Sequence, residues 1–314
     1  MSSTTAVPTP EGSAVNAATA AEQVAPPAPG TWKRLCANPL ALGSLIVLGL
    51  IVLVALFAPL IAPYPFNAQD LPNKLQAPSA QYRLGTDDLG RDTLSRLIYG
   101  ARISLMVALS VETFVVIIGL TVGLTAGFLG GWVDTGLMRF TDVILAFPDV
   151  LLAILLLGTL GTADFVKQNP LSSIALVILA LGVTGWPPLA RLVRGQVLTL
   201  RKREFVEAAR ALGATNGRII LKHLLPNLLS PVLVAVTVDA AGVILAEATL
   251  SFLGIGVQRP YPSWGRMINE ALDYYRSQPR LLILPSAFLA TTVLALNFLG
   301  DGLRDALDPR SRQR

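Results

Sequence analysis

Six long stretches of this chain are almost free of charge, and that feature leaves few folds open. From Cys36 through Gln69 there is no Asp, Glu, Lys or Arg. The same holds between Glu112 and Asp134 and between Lys167 and Arg191. A fourth apolar run, 143–161, is interrupted by Pro148 and Asp149; a fifth, 228–256, contains Asp239 and Glu247; a sixth runs from Leu281 to Gly300. A bilayer core about 30 Å thick is crossed by a helix of about 20 apolar residues. In hydrocarbon the backbone must satisfy its own hydrogen bonds, which a helix does within one segment. The expected fold is therefore all-α and polytopic, with six transmembrane helices near 39–62, 104–130, 143–161, 171–190, 228–256 and 281–300. Composition agrees: 53% of residues are hydrophobic and 14% charged, against about a quarter charged in soluble domains.

The residue inventory excludes several functions. Cys36 is the only cysteine and His223 the only histidine, so an intrachain disulfide, a cysteine metal site, a two-His zinc site and a His-dependent triad are all ruled out. No catalytic residue and no metal site is expected. The net charge of +5 is spread over several loops, without the basic face that nucleic acid requires. No Gly-x-x-x-x-Gly-Lys-Ser/Thr phosphate loop is present, so the chain holds no nucleotide by that device. Residues 1–32 are rich in Ala, Pro, Thr and Ser near the start and read as a disordered tail, leaving 33–314 as the membrane domain. The first basic pair, Lys33-Arg34, comes after this tail and before a long apolar run, so an uncleaved first span fits better than a signal peptide.

Orientation follows from the basic residues. With the N-terminus inside, 15 of the 25 Lys and Arg fall on the inner side, concentrated in the loop from Arg191 to Lys222. Both termini are expected in the cytoplasm. Two substantial outer segments remain, about 63–101 and 257–280, the latter with Tyr261, Trp264, Tyr274 and Tyr275 suited to an interfacial belt. Gly119, Gly123 and Gly127 recur every fourth residue, a pattern for close helix packing.

The inner loop carries the most specific signal. In EFVEAARALGATNGRIILKHLLPN (204–227), residues 204–212 favour helix, Gly213 stands where a left-handed capping residue belongs, and Thr215 or Asn216 can cap a second helix that Pro226 would stop. An ordinary amphipathic loop on the membrane surface is the competing reading. Glu207-Ala208-Ala209, then Gly213, then nine residues, then His223-Leu224-Leu225-Pro226 resembles the EAA loop of bacterial ABC-importer permeases. His223 occupies the position of the pattern's Ile. LGTDDLGRDTLSRLIYGARISL (84–105), LSFLGIGVQRPYPSWGRMINEA (250–271) and LNFLGDGLRDALDPR (296–310) resemble segments of the C-type permeases of dipeptide and oligopeptide systems, and the resemblance runs from about residue 33 to the end.

The resemblance implies a permease subunit that forms half of a translocation path by alternating access in the bacterial inner membrane. It implies Glu207, Ala208, Ala209 and Gly213 as an element docking on a cytoplasmic ATPase, with Leu225 and Pro226 setting its angle to the fifth span and His223 a local helix-face residue. It further implies a second homologous permease, two ATPases holding ATP and Mg, an extracytoplasmic substrate-binding protein, and no cofactor in this chain. Nickel or glutathione permeases of the same family remain alternatives, as does an ion-gradient-driven secondary transporter, for which the expected inverted repeats are not found.

Ionisable residues inside a span are disfavoured by the bilayer and mark functional sites or buried pairs. Asp239 and Glu247 fall deepest and are candidates for the translocation path. Glu112 and Asp149 are expected near span ends, in structural roles. Asp92 and Arg96 form a candidate i,i+4 pair at the start of a short surface helix.

Overall fold

A computed structural model describes residues 31–161 and 169–307. The expected tail lies outside the described residues except for Thr31 and Trp32, which open helix α1 (Thr31–Ala37). Among the described residues there is no strand, only one isolated bridge between Thr86 and Asp92. The molecule is all-α.

Asn38 caps α2 (Pro39–Leu56), its side chain accepting from the amides of Leu40 and Ala41, and a turn at Phe57 leads into α3 (Ala58–Ile61). After the segment 62–92, α4 runs for 37 residues from Thr93 to Leu129. The expected short surface helix is thus the first part of this long one. Asp92 caps it, accepting from the Ser95 amide at 2.8 Å. The expected Asp92–Arg96 pair is absent: capping engages the Asp92 carboxylate, and Arg96 reaches Glu270 and Asp87 instead.

Next come α5 (Gly131–Leu145) and α6 (Asp149–Leu160), bent by 81° about Phe147-Pro148. The residue before a proline is driven out of the α region, so the break falls where the sequence has its Pro-Asp. Helix α7 (Pro170–Leu200) carries Pro187 and Pro188 inside it. The span expected near 171–190 is longer than that: the helix passes through both prolines and continues to Leu200.

Two short helices, α8 (Glu204–Ala211) and α9 (Asn216–Ile219), precede α10 (Leu225–Phe252). A short α11 (Trp264–Ala271) and a final α12 (Arg280–Leu307) complete the chain. Five helical stretches are long and apolar enough to cross a membrane, or six when α5 and α6 count as one broken span.

The centre is the α4–α7 pair. A Cβ on Gly119 would lie 3.0 Å from Leu189; on Gly123, 2.6 Å from the Ala190 carbonyl; on Gly127, 2.8 Å from Val193's counterpart one turn on, Val197. Contacts that advance together along both helices mean that the two run parallel. The chain between them must therefore return across the bundle, which the bent α5–α6 pair does. Burial ranks the rest: 67% of the apolar stretch of α7 is enclosed, against 17% of α2, so α2 sits at the periphery.

One end of the bundle gathers both ends of the described chain. Leu35, Ala41 and Ala306 form a small buried cluster, and a Cβ on Gly302 would collide with Ala41. The 201–224 loop lies at this same end, where the Arg201 guanidinium donates to the Gly127 carbonyl at 3.0 Å.

At the opposite end, segments 63–92 and 257–280 fold onto each other. Trp264, fully buried, packs with Ala55, Leu97, Ala101 and Met267. Glu270 accepts from Arg91 at 2.9 Å, Arg96 at 2.8 Å, Arg259 at 2.6 Å and Arg266 at 3.3 Å. Burial alone would raise the Glu270 carboxyl, but Arg96 and Arg91, then Arg259, outweigh it and hold the group at about 2. Arg91 also binds Asp87 at 2.6 Å. Asp87, Asp88 and Glu270 are close enough to resemble a cation site, but the guanidinium groups already occupy their oxygens. The outer segments are therefore a locked layer rather than a loose linker.

Candidate functional site

The 201–227 loop is built as two short helices pinned on one side. Glu204 and Glu207 lie in the first turn of α8 and Arg210 in the last, the charge order that suits a helix dipole. Gly213 has φ +81°. Its amide donates to the Arg210 carbonyl at 2.9 Å and that of Ala214 to the Ala209 carbonyl at 3.0 Å. This pair of bonds is a Schellman motif, which needs a left-handed residue at the first position past the cap. Thr215 caps α9, its hydroxyl accepting from the Arg218 amide.

Pro226 does not stop the second helix. The backbone instead widens into a π turn over Ile220–Leu224 and runs straight into α10. Proline lacks an amide proton, and its ring crowds the carbonyl four residues back; the wider turn relieves both. The Asn227 side chain donates to the His223 carbonyl at 2.7 Å. The His223 ring packs on Phe205, centroids 6.3 Å apart, which ties the second short segment to the first.

Burial divides this loop into two faces. Val206, Ile219 and Leu224 are wholly buried, and the Arg210 guanidinium lies over the Phe128 ring at 5.9 Å. Glu207, Ala208, Ala211 and Gly213 are exposed, Ala209 is half-buried, Leu225 is half-buried and Pro226 exposed. Phe205 is 42% exposed and Leu212 88%. With Ala208, they form an apolar stripe at positions 205, 208 and 212 that the described residues leave largely open. The Glu-Ala-Ala pattern picks out Ala208 but not the two large residues beside it, although the i, i+3, i+7 spacing is readable in the sequence.

The intramembrane acids fall into two settings. Glu247 is 1% exposed. Its carboxylate accepts from Ser251 Oγ at 2.7 Å and Ser104 Oγ at 3.3 Å. Those serines in turn accept from the amides of Val257 at 3.0 Å and Trp264 at 3.4 Å. Glu247 therefore knots α10, α4 and the start of α11 together in a closed interior.

Asp239 is different. It stands midway along α10, exposed on the face of this lone chain, and lines a cavity of about 120 Å³ with Val115, Gly185, Pro188 and Val236. Glu112, expected near a span end, sits in the middle of α4, 5% exposed, and faces Asp239. Asp149, at the start of α6, is within electrostatic reach of Asp239. The sequence separates Glu112 from Asp239 by over a hundred residues, and no local signal joins them.

Comparison with known proteins places this architecture. A family described as "Binding-protein-dependent transport system inner membrane component" matches residues 119–313, and one described as "N-terminal TM domain of oligopeptide transport permease C" matches residues 29–78. The dipeptide transport system permease protein DppC of Alkalihalophilus pseudofirmus is 43% identical over 281 residues, covering 90% of this chain and 89% of the relative. The oligopeptide transport system permease protein OppC of Bacillus subtilis is 39% identical over 307 residues, covering 96% and 97%. The glutathione transport system permease protein GsiD of Escherichia coli is 42% identical over 290 residues, covering 92% of each. Among solved structures, an inward-facing MetNI methionine ABC transporter superposes with a TM-score of 0.55 over 68% of this chain and 98% of that one. At 20% identity that likeness is one of fold.

Proposed function

Because the chain belongs to the family of inner membrane components of binding-protein-dependent transport systems, as an ABC-importer permease, we propose that it forms half of the translocation path for dipeptides and oligopeptides. The observation that carries the mechanism is the two-faced loop. Val206, Ile219 and Leu224 fix α8 and α9 to the end of the bundle, while Phe205, Ala208 and Leu212 stay open. An element rigidly joined to the transmembrane helices, with an uncovered apolar stripe, suits a partner that pushes on it. That partner is a cytoplasmic ATPase, which supplies ATP, Mg and hydrolysis; this chain contributes no catalytic residue or cofactor. Glu207, Ala208, Ala209 and Gly213 belong to the docking surface. Leu225 and Pro226, through the π turn, set how its tilt reaches α10.

The assembly contains a second homologous permease, two ATPases and an extracytoplasmic binding protein, and both termini lie in the cytoplasm. Asp239 faces the path shared with the second permease, since an ionisable group at mid-membrane depth is disfavoured against lipid. Glu247, enclosed by its serines, serves the packing of that path's wall rather than its surface. The names of the relatives support peptides as the cargo class, glutathione included.

The test is co-purification of the tagged chain from its native membranes in mild detergent, with partners identified by mass spectrometry and ATPase activity assayed. A second permease and P-loop ATPases are expected, lost on Glu207→Arg while the chain keeps its melting temperature. A chain that purifies alone, with no ATPase under gentle conditions, overturns the reading.

A further inference from the structure

The structure assigns a cation subsite to Glu112 and Asp239, one that takes the protonated amino group of a peptide as it passes between α4, α7 and α10. This deepens the proposed function and rests on the chain being one wall of a path. Three observations carry it.

First, Glu112 is 5% exposed, and neither carboxyl oxygen receives a hydrogen bond from an amide, hydroxyl or cation among the described residues; the group within its hydrogen-bonding reach is Asp239, where a bond needs a shared proton. The group it faces, Asp239, is another acceptor. A buried carboxylate normally has donors, and Glu247, which accepts from Ser104 and Ser251, shows how this same chain satisfies one when packing is the purpose.

Second, no Lys or Arg pairs with Glu112, Asp239 or Asp149 among the described residues. The two arginines of α7 beyond the cavity are engaged elsewhere, Arg191 with Asp142 at 2.5 Å and Arg194 with Asp134 at 2.5 Å. Among the described residues, no side chain brings positive charge to the cluster.

Third, Asp239 opens on the cavity of about 120 Å³ whose other walls, among them Val115, Pro188, Leu192 and Val236, are apolar. One water occupies about 30 Å³ in the liquid, so the space admits a group larger than a single water. In the adjoining turn, Pro187 and Pro188 leave the carbonyls of Val183 and Thr184 without their usual helical donors. The Asp239 carboxylate at one end of an apolar pocket, with Glu112 behind it, matches an ammonium group on an aliphatic stem. It does not match a soft metal ion, which would look for imidazole or thiolate.

The experiment uses the assembled transporter in membranes. Cys36→Ser removes the only cysteine of this chain, and Ala235→Cys places a thiol on the cavity wall. Its modification by a trimethylammonium-ethyl and by a sulfonatoethyl methanethiosulfonate is followed by mass on this chain, during ATP turnover, with each rate normalised to a free thiol. The cationic reagent is expected to react about tenfold faster, the equivalent of 1.4 kcal/mol for one partly screened charge pair. The preference should vanish in Asp239→Asn with Glu112→Gln and persist in Asp239→Glu, a variant that guards against loss through misfolding. A dipeptide with a free amino end should slow the cationic reagent, and its N-acetylated counterpart should not.

A preference unchanged by neutralisation overturns the subsite while leaving the permease reading intact; the two acids would then share a proton. Failure of both reagents to react at any stage of turnover overturns the placement of Asp239 on a water path. Equal protection by both peptides overturns the amino group as the ligand.

Discussion

Single residues in this chain act through quite different physics. Gly213 has open space around it but a φ of +81°, so Gly213→Ala should cost only backbone strain, about 1–2 kcal/mol. The loss should appear as weaker ATPase co-purification more than as a lower melting temperature of the chain. Gly123 is the converse case, with an ordinary helical backbone and no room. A Cβ there would lie 2.6 Å from the Ala190 carbonyl, and Gly123→Val should lower stability by about 1–3 kcal/mol through overpacking, read as a drop in melting temperature. Glu270 contributes by charge. Its folded carboxyl is held at about 2, below the unfolded value near 4.3. A depressed acid stabilises above its unfolded value, and that contribution fades as pH falls from there toward 2. Melting temperature should decline over that window and decline less in Glu270→Gln. At neutral pH the same variant leaves Arg91 and Arg96, both nearly fully buried, to share Asp87, at a cost below the roughly 3–5 kcal/mol of breaking a buried pair outright.

At the scale of elements, the join between α9 and α10 decides how the loop moves. The π turn over Ile220–Leu224 exists beside a proline that cannot donate. Pro226→Ala would restore an amide and allow an ordinary helical turn, shifting α8 around the axis of α10. We expect an unchanged or higher melting temperature together with uptake reduced several-fold in reconstituted vesicles. Uptake that remains normal would separate the π turn from coupling. The broken α5–α6 pair makes a related point. Its bend of 81° lets the chain return between two parallel helices, and the ion pairs Arg191–Asp142 and Arg194–Asp134 hold α5 to α7 beside the bend.

For the whole molecule, the decisive property is what stays uncovered. Leu212 at 88% exposure and Phe205 at 42% form a surface that the described residues do not bury. Leu212→Asp should leave the fold and melting temperature intact, because that side chain is 88% exposed, while sharply reducing the ATPase recovered with the chain. Recovery at the unaltered level would move the docking surface elsewhere.

The sequence by itself determined the all-α membrane fold, because long uncharged runs have few other solutions in a bilayer. It also determined the capping glycine of the loop and the glycine face of α4, since left-handed turns and close helix contacts each need one residue type. It could not determine that Pro187, Pro188 and Pro226 are carried inside helices. Proline disfavours the continuing helix locally, and only packing along α7 and the widened turn before α10 override it. The pairing of Glu112 with Asp239, and of Arg96 with Glu270 rather than Asp92, was likewise decided by tertiary structure. Charges choose partners by distance in space, and these partners meet only once the helices have crossed the bundle.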